Sequence, residues 1–107
     1  MELLTQEIRN KIPKMNETAE EENPRVYAKF FGGGRWSWYA MEFDGEDIFF
    51  GYVRSGLDDT GGYDELGSFS LSELEQAKFP PFGLPTERDK FWDDKTTLEQ
   101  VMSGEVI

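Results

Sequence analysis

Two glycine-bearing breaks divide residues 25–54 into three strand-like runs, and no other feature restricts the fold as much. The runs 25–31, 35–43 and 46–54 are rich in aromatic and β-branched residues, which suit a pleated, half-buried surface. Gly32-Gly33-Gly34 separates the first two, and glycine supplies the positive φ that tight turns need. Asp44-Gly45 separates the second and third and is a two-residue hairpin signal. An antiparallel meander over 25–54 is therefore expected. A three-residue loop at 32–34 sets Phe31 opposite Arg35 and Ala28 opposite Trp38. A two-residue loop at 44–45 sets Phe43 opposite Glu46, Met41 opposite Ile48 and Tyr39 opposite Phe50.

Side chains alternate across a sheet, so this register sorts the meander into two faces. The first carries Val26, Ala28, Phe30, Trp36, Trp38, Ala40, Phe49, Gly51 and Val53, and is apolar until Glu42 and Asp47 at one end. It is the expected core face. The second carries Arg25, Tyr27, Lys29, Phe31, Arg35, Ser37, Tyr39, Met41, Ile48, Phe50, Tyr52 and Arg54. Tyrosines and cations interleave there, which suits a half-wet or partly covered surface.

The flanks supply helices. Leu4, Ile8 and Ile12 recur at helical spacing over 3–12, with Thr5 as a cap and Pro13 as a stop. Residues 14–24 form an acidic connector, expected to be solvated. Residues 56–62 read as a loop and 63–69 as a fourth strand. Ser70-Leu71-Ser72-Glu73 and Thr96-Thr97-Leu98-Glu99 are capping-box patterns, the first opening a helix over about 71–78 and the second a short helix to about Met102. The proline-rich segment 79–85 cannot be regular helix, and 86–92 is charged without a periodic signal. The expected fold is a single α+β domain over 1–107: an antiparallel sheet of about four strands with short helices packed on one face.

Composition excludes more than it proposes. The 107 residues leave no room for a second core, but nine Phe, four Tyr and three Trp can fill one. There is no His, which removes the usual general base and the commonest transition-metal ligand. Cys is absent too, so zinc and iron–sulfur sites are not expected, and neither is a disulfide framework. No cofactor is expected. The start of the chain lacks the basic, apolar pattern of a signal peptide, and no apolar run approaches the roughly 20 residues that span a bilayer. A cytoplasmic location follows as an expectation. The net charge is −11, from 22 acidic and 11 basic residues, which disfavours duplex nucleic acid and anionic membranes; it could attract a basic protein, but plain solubility is the commoner reason for such a charge.

Longer motifs carry a resemblance. Val26-Tyr27-Ala28-Lys29-Phe30-Phe31, the run from Trp36 to Val53 with its Trp36-Ser37-Trp38-Tyr39-Ala40-Met41-Glu42-Phe43 core, Leu66-Gly67-Ser68-Phe69-Ser70-Leu71-Ser72-Glu73-Leu74-Glu75 and Gly83-Leu84-Pro85-Thr86-Glu87-Arg88-Asp89 resemble the domain-of-unknown-function family 2958. Leu3-Leu4-Thr5 fits the same pattern. The resemblance implies a bacterial passenger of plasmids, conjugative elements or phages, often near anti-restriction genes. It implies no activity and no catalytic residues.

Four constellations bear on function. Glu42, Asp44, Glu46 and Asp47 place four carboxylates within six residues, a hard-cation pattern in principle, but the spacing matches no EF-hand loop. A solvated turn is the better reading, and no metal site is expected. Carboxylate pairs for acid–base work are inevitable by chance among 22 acids; a buried Glu42 with a raised pKa would give that reading substance. Arg25, Tyr27, Lys29, Arg35, Tyr39, Tyr52 and Arg54 on one open face would suit single-stranded nucleic acid, unless a helix or the C-terminal segment covers them. Glu17, Glu20, Glu21, Glu22, Asp58, Asp59, Asp64, Glu65, Asp93 and Asp94 could present carboxylates to a DNA-binding cleft on another protein. Gly32-Gly33-Gly34 is a hairpin turn and not a phosphate cradle, since no Lys-Ser/Thr and no helix follows it. A non-enzymatic binding module that engages a DNA-handling or defence protein is the leading expectation. Single-stranded nucleic-acid binding is the alternative, and a carboxylate enzyme comes third.

Overall fold

A computed structural model describes residues 1–56 and 64–105. In chain order its elements are α1 (Gln6–Lys11), β1 (Ala28–Gly32), β2 (Trp36–Phe43), β3 (Ile48–Arg54), β4 (Glu65–Ser70), α2 (Leu71–Gln76), β5 (Lys78–Phe79), β6 (Leu84–Pro85), β7 (Glu87–Arg88) and α3 (Leu98–Met102). The expected loop over 57–62 and the start of the fourth strand at Tyr63 lie outside the described residues. The fold is α+β. Five antiparallel strands run in the order β4-β3-β2-β1-β7, and β5 pairs with β6 in a separate ribbon. Among the described residues no helix is long and apolar enough to cross a membrane.

The helices start where side chains can satisfy free N–H groups. Thr5 accepts from the Ile8 N–H at 3.2 Å, Ser70 from Glu73 at 3.3 Å and Thr97 from Gln100 at 3.3 Å. Gln100 reaches back to the Thr97 N–H, so the second capping box closes one residue later than its Thr96-to-Glu99 pattern suggested. The first two helices are shorter than expected. Leu3 and Leu4 precede the Thr5 cap, yet both are buried.

The meander register moves. Ala28 faces Ala40 and Phe30 faces Trp38, two places from the expected pairing, because the loop is 33–35. An even shift keeps the side chains from Ala28 to Ala40 on their faces, while Val26 and Tyr27, ahead of β1, exchange theirs. The second turn changes more. Asp44 and Ile48 close a longer loop through their backbones, so Phe43 faces Phe49 and Tyr39 faces Tyr52. Met41 is an extra residue, a β-bulge between Ala40 and Glu42. Up to Ala40 the alternation holds; beyond the bulge it reverses. Glu42 leaves the first face, and Phe43 enters the core there instead.

Two cores result. The first packs Leu3, Leu4, Ile12, Leu71 and Leu74 onto Ala28, Phe30, Ala40, Phe43 and Phe49. The Phe43 and Phe49 rings lie 4.6 Å apart, and burial of each contributes about 1.5–3 kcal/mol. The second core lies on the opposite face and joins Tyr39, Met41 and Tyr52 to Val26, Val101, Trp92 and Leu98. Helices therefore cover both faces, α1 and α2 on one side and α3 on the other. The chain ahead of β1 brings α3 there: Val26 N–H donates to Thr96 O at 2.7 Å, and Leu98 N–H to Pro24 O at 2.8 Å. Regular alternation begins only at Ala28, which is how Val26 joins the second core and not the first.

β7 has no periodic signal because it is two residues long; its pairing with Phe30 and Phe31 is purely tertiary. Just before it, the Thr86 hydroxyl is buried with no hydrogen-bond partner. An unsatisfied buried hydroxyl costs stability, and valine has nearly the same shape. Thr86→Val is expected to raise unfolding stability by about 1 kcal/mol in urea titration.

Candidate functional site

The four carboxylates of the 42–47 turn do not share a site. Asp44 Oδ1 accepts from the N–H groups of Glu46, Asp47 and Ile48 at 2.8, 2.8 and 3.0 Å, which holds the loop. These bonds, that from Glu46 foremost, keep its carboxyl below its usual range. Asp47 turns to the start of α2, where the Ser70 hydroxyl donates to it at 2.6 Å and the Ser72 N–H at 2.8 Å. Those two donors, Ser70 first, depress its pKa too. Glu46 is exposed. Among the described residues no group of three or more Asp or Glu is arranged to hold a metal ion.

Glu42 is the exceptional member. It is only 3% exposed, and the bulge aims it away from Asp47. Its Oε1 accepts from the Asn16 N–H at 2.9 Å, and its Oε2 from the Thr18 N–H at 2.9 Å and the Thr18 hydroxyl at 2.5 Å. Burial, the largest single influence, raises its pKa; the Thr18 hydroxyl and the two N–H groups together outweigh it, and the carboxyl stays below its usual value. A general acid needs the opposite shift. Glu42 is instead an anchor: it pins the acidic 14–24 segment against the sheet through Asn16 and Thr18.

The tyrosine and cation face is closed. Tyr39 is fully buried and Tyr52 nearly so. Trp92 packs 5.8 Å from the Tyr39 ring and donates its indole N–H to Val26 O at 2.9 Å. Arg54 donates to Val101 O at 2.5 Å and to the Tyr39 hydroxyl at 3.3 Å, tying β3 to α3. Burial raises the pKa of both tyrosines. Lys29 lies 5.7 Å from the Tyr39 ring centre, and burial lowers its pKa against the pull of Asp89. Tyr27 has left this face: it packs half-buried against the first core, under Arg25, which also engages Asp94. Arg35 is exposed at the opposite end of β1 from Arg25. The seven residues form no continuous platform.

The acids proposed as a phosphate mimic also divide. Asp58 and Asp59 lie outside the described residues. Asp94 is held by Lys11 and Arg25, Asp64 by Arg54, and Asp93 by the Lys95 N–H. Glu17 accepts from the Lys14 N–H. Glu20, Glu21, Glu22 and Glu65 are exposed and have no cationic partner among the described residues.

Beside these free carboxylates the surface opens into a cleft of about 400 Å³ between the 14–24 segment, β3, β4 and α3. Its walls are largely apolar, with Met15, Met41, Phe50, Leu66 and Leu98, while Glu21 and Glu22 stand on the rim. Leu66 is 45% exposed. Glu22 and Leu98 also border a neighbouring hollow that holds Glu99 and the exposed Met102, so the apolar floor continues along α3 under an acidic edge. The apolar residues within the acidic segment and on the second sheet face are the sequence signal for this cleft. It stays silent until the bulge and α3 bring the two together.

The profile of the family of proteins of unknown function DUF2958 matches residues 3–103. The chain belongs to DUF2958. No curated protein and no solved structure matches it. In this DUF2958 chain the long 36–53 motif contains the Met41 bulge, the Asp44 turn, the Glu42 anchor and Gly51, which are all structural devices. The cleft lies beside that motif, lined by Phe50 from it and Leu66 from the next.

Proposed function

We propose that this DUF2958 chain is a non-enzymatic binding module whose cleft takes a cationic, apolar-bearing segment of a protein partner. One observation carries the reading: an apolar cleft of about 400 Å³ is bordered by carboxylates that have no cationic partner among the described residues. Apolar contacts would supply affinity, and the rim would supply attraction and selectivity for lysine and arginine. Segments of this kind are common on DNA-handling proteins, whose basic surfaces face phosphates. Such a partner also suits a cytoplasmic accessory factor of a mobile element, the setting the motif resemblance implies. Direct binding of single-stranded nucleic acid has less support, since Tyr39 and Tyr52 are covered.

A selection of random dodecapeptides displayed on phage tests this. Immobilised protein is expected to enrich sequences that mix lysine or arginine with large apolar residues. The double reversal Glu21→Lys/Glu22→Lys, at exposed positions, is expected to weaken the enriched peptides about tenfold at 0.1 M salt without lowering stability. Enrichment of acidic or uncharged peptides, or affinity indifferent to salt and to the reversal, would overturn the reading.

A further inference from the structure

Among the described residues the sheet has two free edges, and the chain treats them differently. On one side β7 is two residues long and follows Pro85, so it offers almost nothing to pair with. On the other side β4 is six residues long. It contains no proline, no lysine and no bulge, the usual devices that blunt an edge. Its register on β3 runs unbroken from Ile48 against Ser70 to Val53 against Glu65.

One hydrogen bond shows which groups of β4 are open. Leu71 N–H donates to Asp47 O at 2.8 Å, in line with the β3–β4 register. In an antiparallel pair, hydrogen-bonded and non-bonded positions alternate. Gly51 with Gly67 and Phe49 with Phe69 therefore exchange bonds, while Leu66 and Ser68 turn their N–H and C=O groups away from β3. Among the described residues nothing accepts from or donates to those groups. Leu66 projects on the same face as Phe50 and forms the lip of the cleft. The open backbone and the apolar cleft thus meet at one residue. Gly67, between them, leaves open space on the other face, where a Cβ would meet nothing within 4 Å.

We propose that the partner segment binds as an added strand on β4, its backbone pairing with Leu66 and Ser68 and one apolar side chain entering the cleft beside Leu66. This rests on the cleft reading above and adds the conformation of the ligand: extended, alternating apolar and cationic residues. The main chain gives affinity in this mode, and alternate side chains give specificity. Charge selects the occupant. Glu65 opens β4, Glu21 and Glu22 edge the cleft, and the chain carries −11 in all, so a second copy is repelled while a basic segment is drawn in.

The probe is a synthetic nine-residue peptide alternating lysine and valine, with a version N-methylated at every second residue. Amide hydrogen exchange read by NMR is expected to slow about tenfold or more at Leu66 and Ser68 with saturating peptide. N-methylation is expected to weaken binding about tenfold, since it removes donors that only a paired strand uses. Ser68→Pro deletes an outward N–H without breaking the β3 ladder and is expected to do the same. If the peptide binds, is lost on Glu21→Lys/Glu22→Lys, yet leaves both amides unprotected and tolerates N-methylation, strand addition is overturned and the cleft reading stands. Protection that ignores the rim reversal upholds the added strand and removes the charge argument. Protection that rises with protein concentration alone makes a second copy the occupant and overturns the proposal. Absence of binding by the peptide overturns both.

Discussion

Gly51→Ala is expected to cost about 3–5 kcal/mol of unfolding stability, or to prevent folding outright. A Cβ at this position would overlap the Tyr39 carbonyl oxygen and stand 2.9 Å from its carbon and 3.2 Å from the Ala40 Cα. All three obstacles are backbone, so no side chain can rotate aside. Gly51 sits opposite Ala40, next to the extra residue Met41, where the bulge presses β2 against β3. Relief would require the two central strands to part, through both cores at once. A domain of this size has roughly 5–15 kcal/mol in total, so the loss would be a large share of it. Urea unfolding followed by circular dichroism measures it. A change within about 1 kcal/mol would mean that the strands do not approach as described.

Glu42→Ala is expected to cost about 3 kcal/mol or more, since it leaves the buried Thr18 N–H and hydroxyl and the partly buried Asn16 N–H without an acceptor. Glu42→Gln keeps the shape and one acceptor and is expected to cost less, about 1–2 kcal/mol. The two variants separate under acid. Glu42 titrates below its usual 4.5 in the fold and returns to it on unfolding. As pH falls the unfolded chain takes up the proton first, so the stability that Glu42 adds is complete above the usual carboxylate range. It is lost as pH drops through the lower folded value. Wild type should show this acid limb, and Glu42→Gln should show a shallower one. Asp44, Asp47 and Asp94, all depressed in the fold, supply the remainder. An equally steep limb in Glu42→Gln would rule Glu42 out as its source. Glu42→Ala should also release the 14–24 segment, seen as faster amide exchange at Asn16 and Thr18, and loosen the cleft wall it forms.

Local chemistry made the helix starts and the three central strands legible. Thr5, Ser70 and Thr97 act through N–H groups three residues away, and such contacts need nothing but the adjacent chain. The two glycine turns also lie where the sequence marks them, and the even shift at the first leaves the faces from Ala28 to Ala40 unchanged. The second turn misled for a physical reason. Asp44-Gly45 matches a two-residue hairpin, but the Asp44 carboxylate gathers three N–H groups and stabilises a longer loop. One bulged residue then reverses the alternation beyond it, and no local pattern in Ala40-Met41-Glu42 announces that.

The candidate site was less legible than the fold. Tyr39, Tyr52 and Arg54 have the composition of an open binding face, and only the packing of Trp92 and α3 turns them into core. Sequence alone determined that this chain is α+β, with an aromatic core, an antiparallel meander and an excess of acidic residues without histidine or cysteine, because those properties follow from composition and short-range periodicity. Tertiary structure alone decided which face is wet, where each carboxylate points, and that Leu66 brings an unpaired strand edge to an apolar cleft. Those outcomes depend on contacts between segments dozens of residues apart, Glu42 with Thr18 and Val26 with Thr96 among them, whose energies no stretch of local sequence contains.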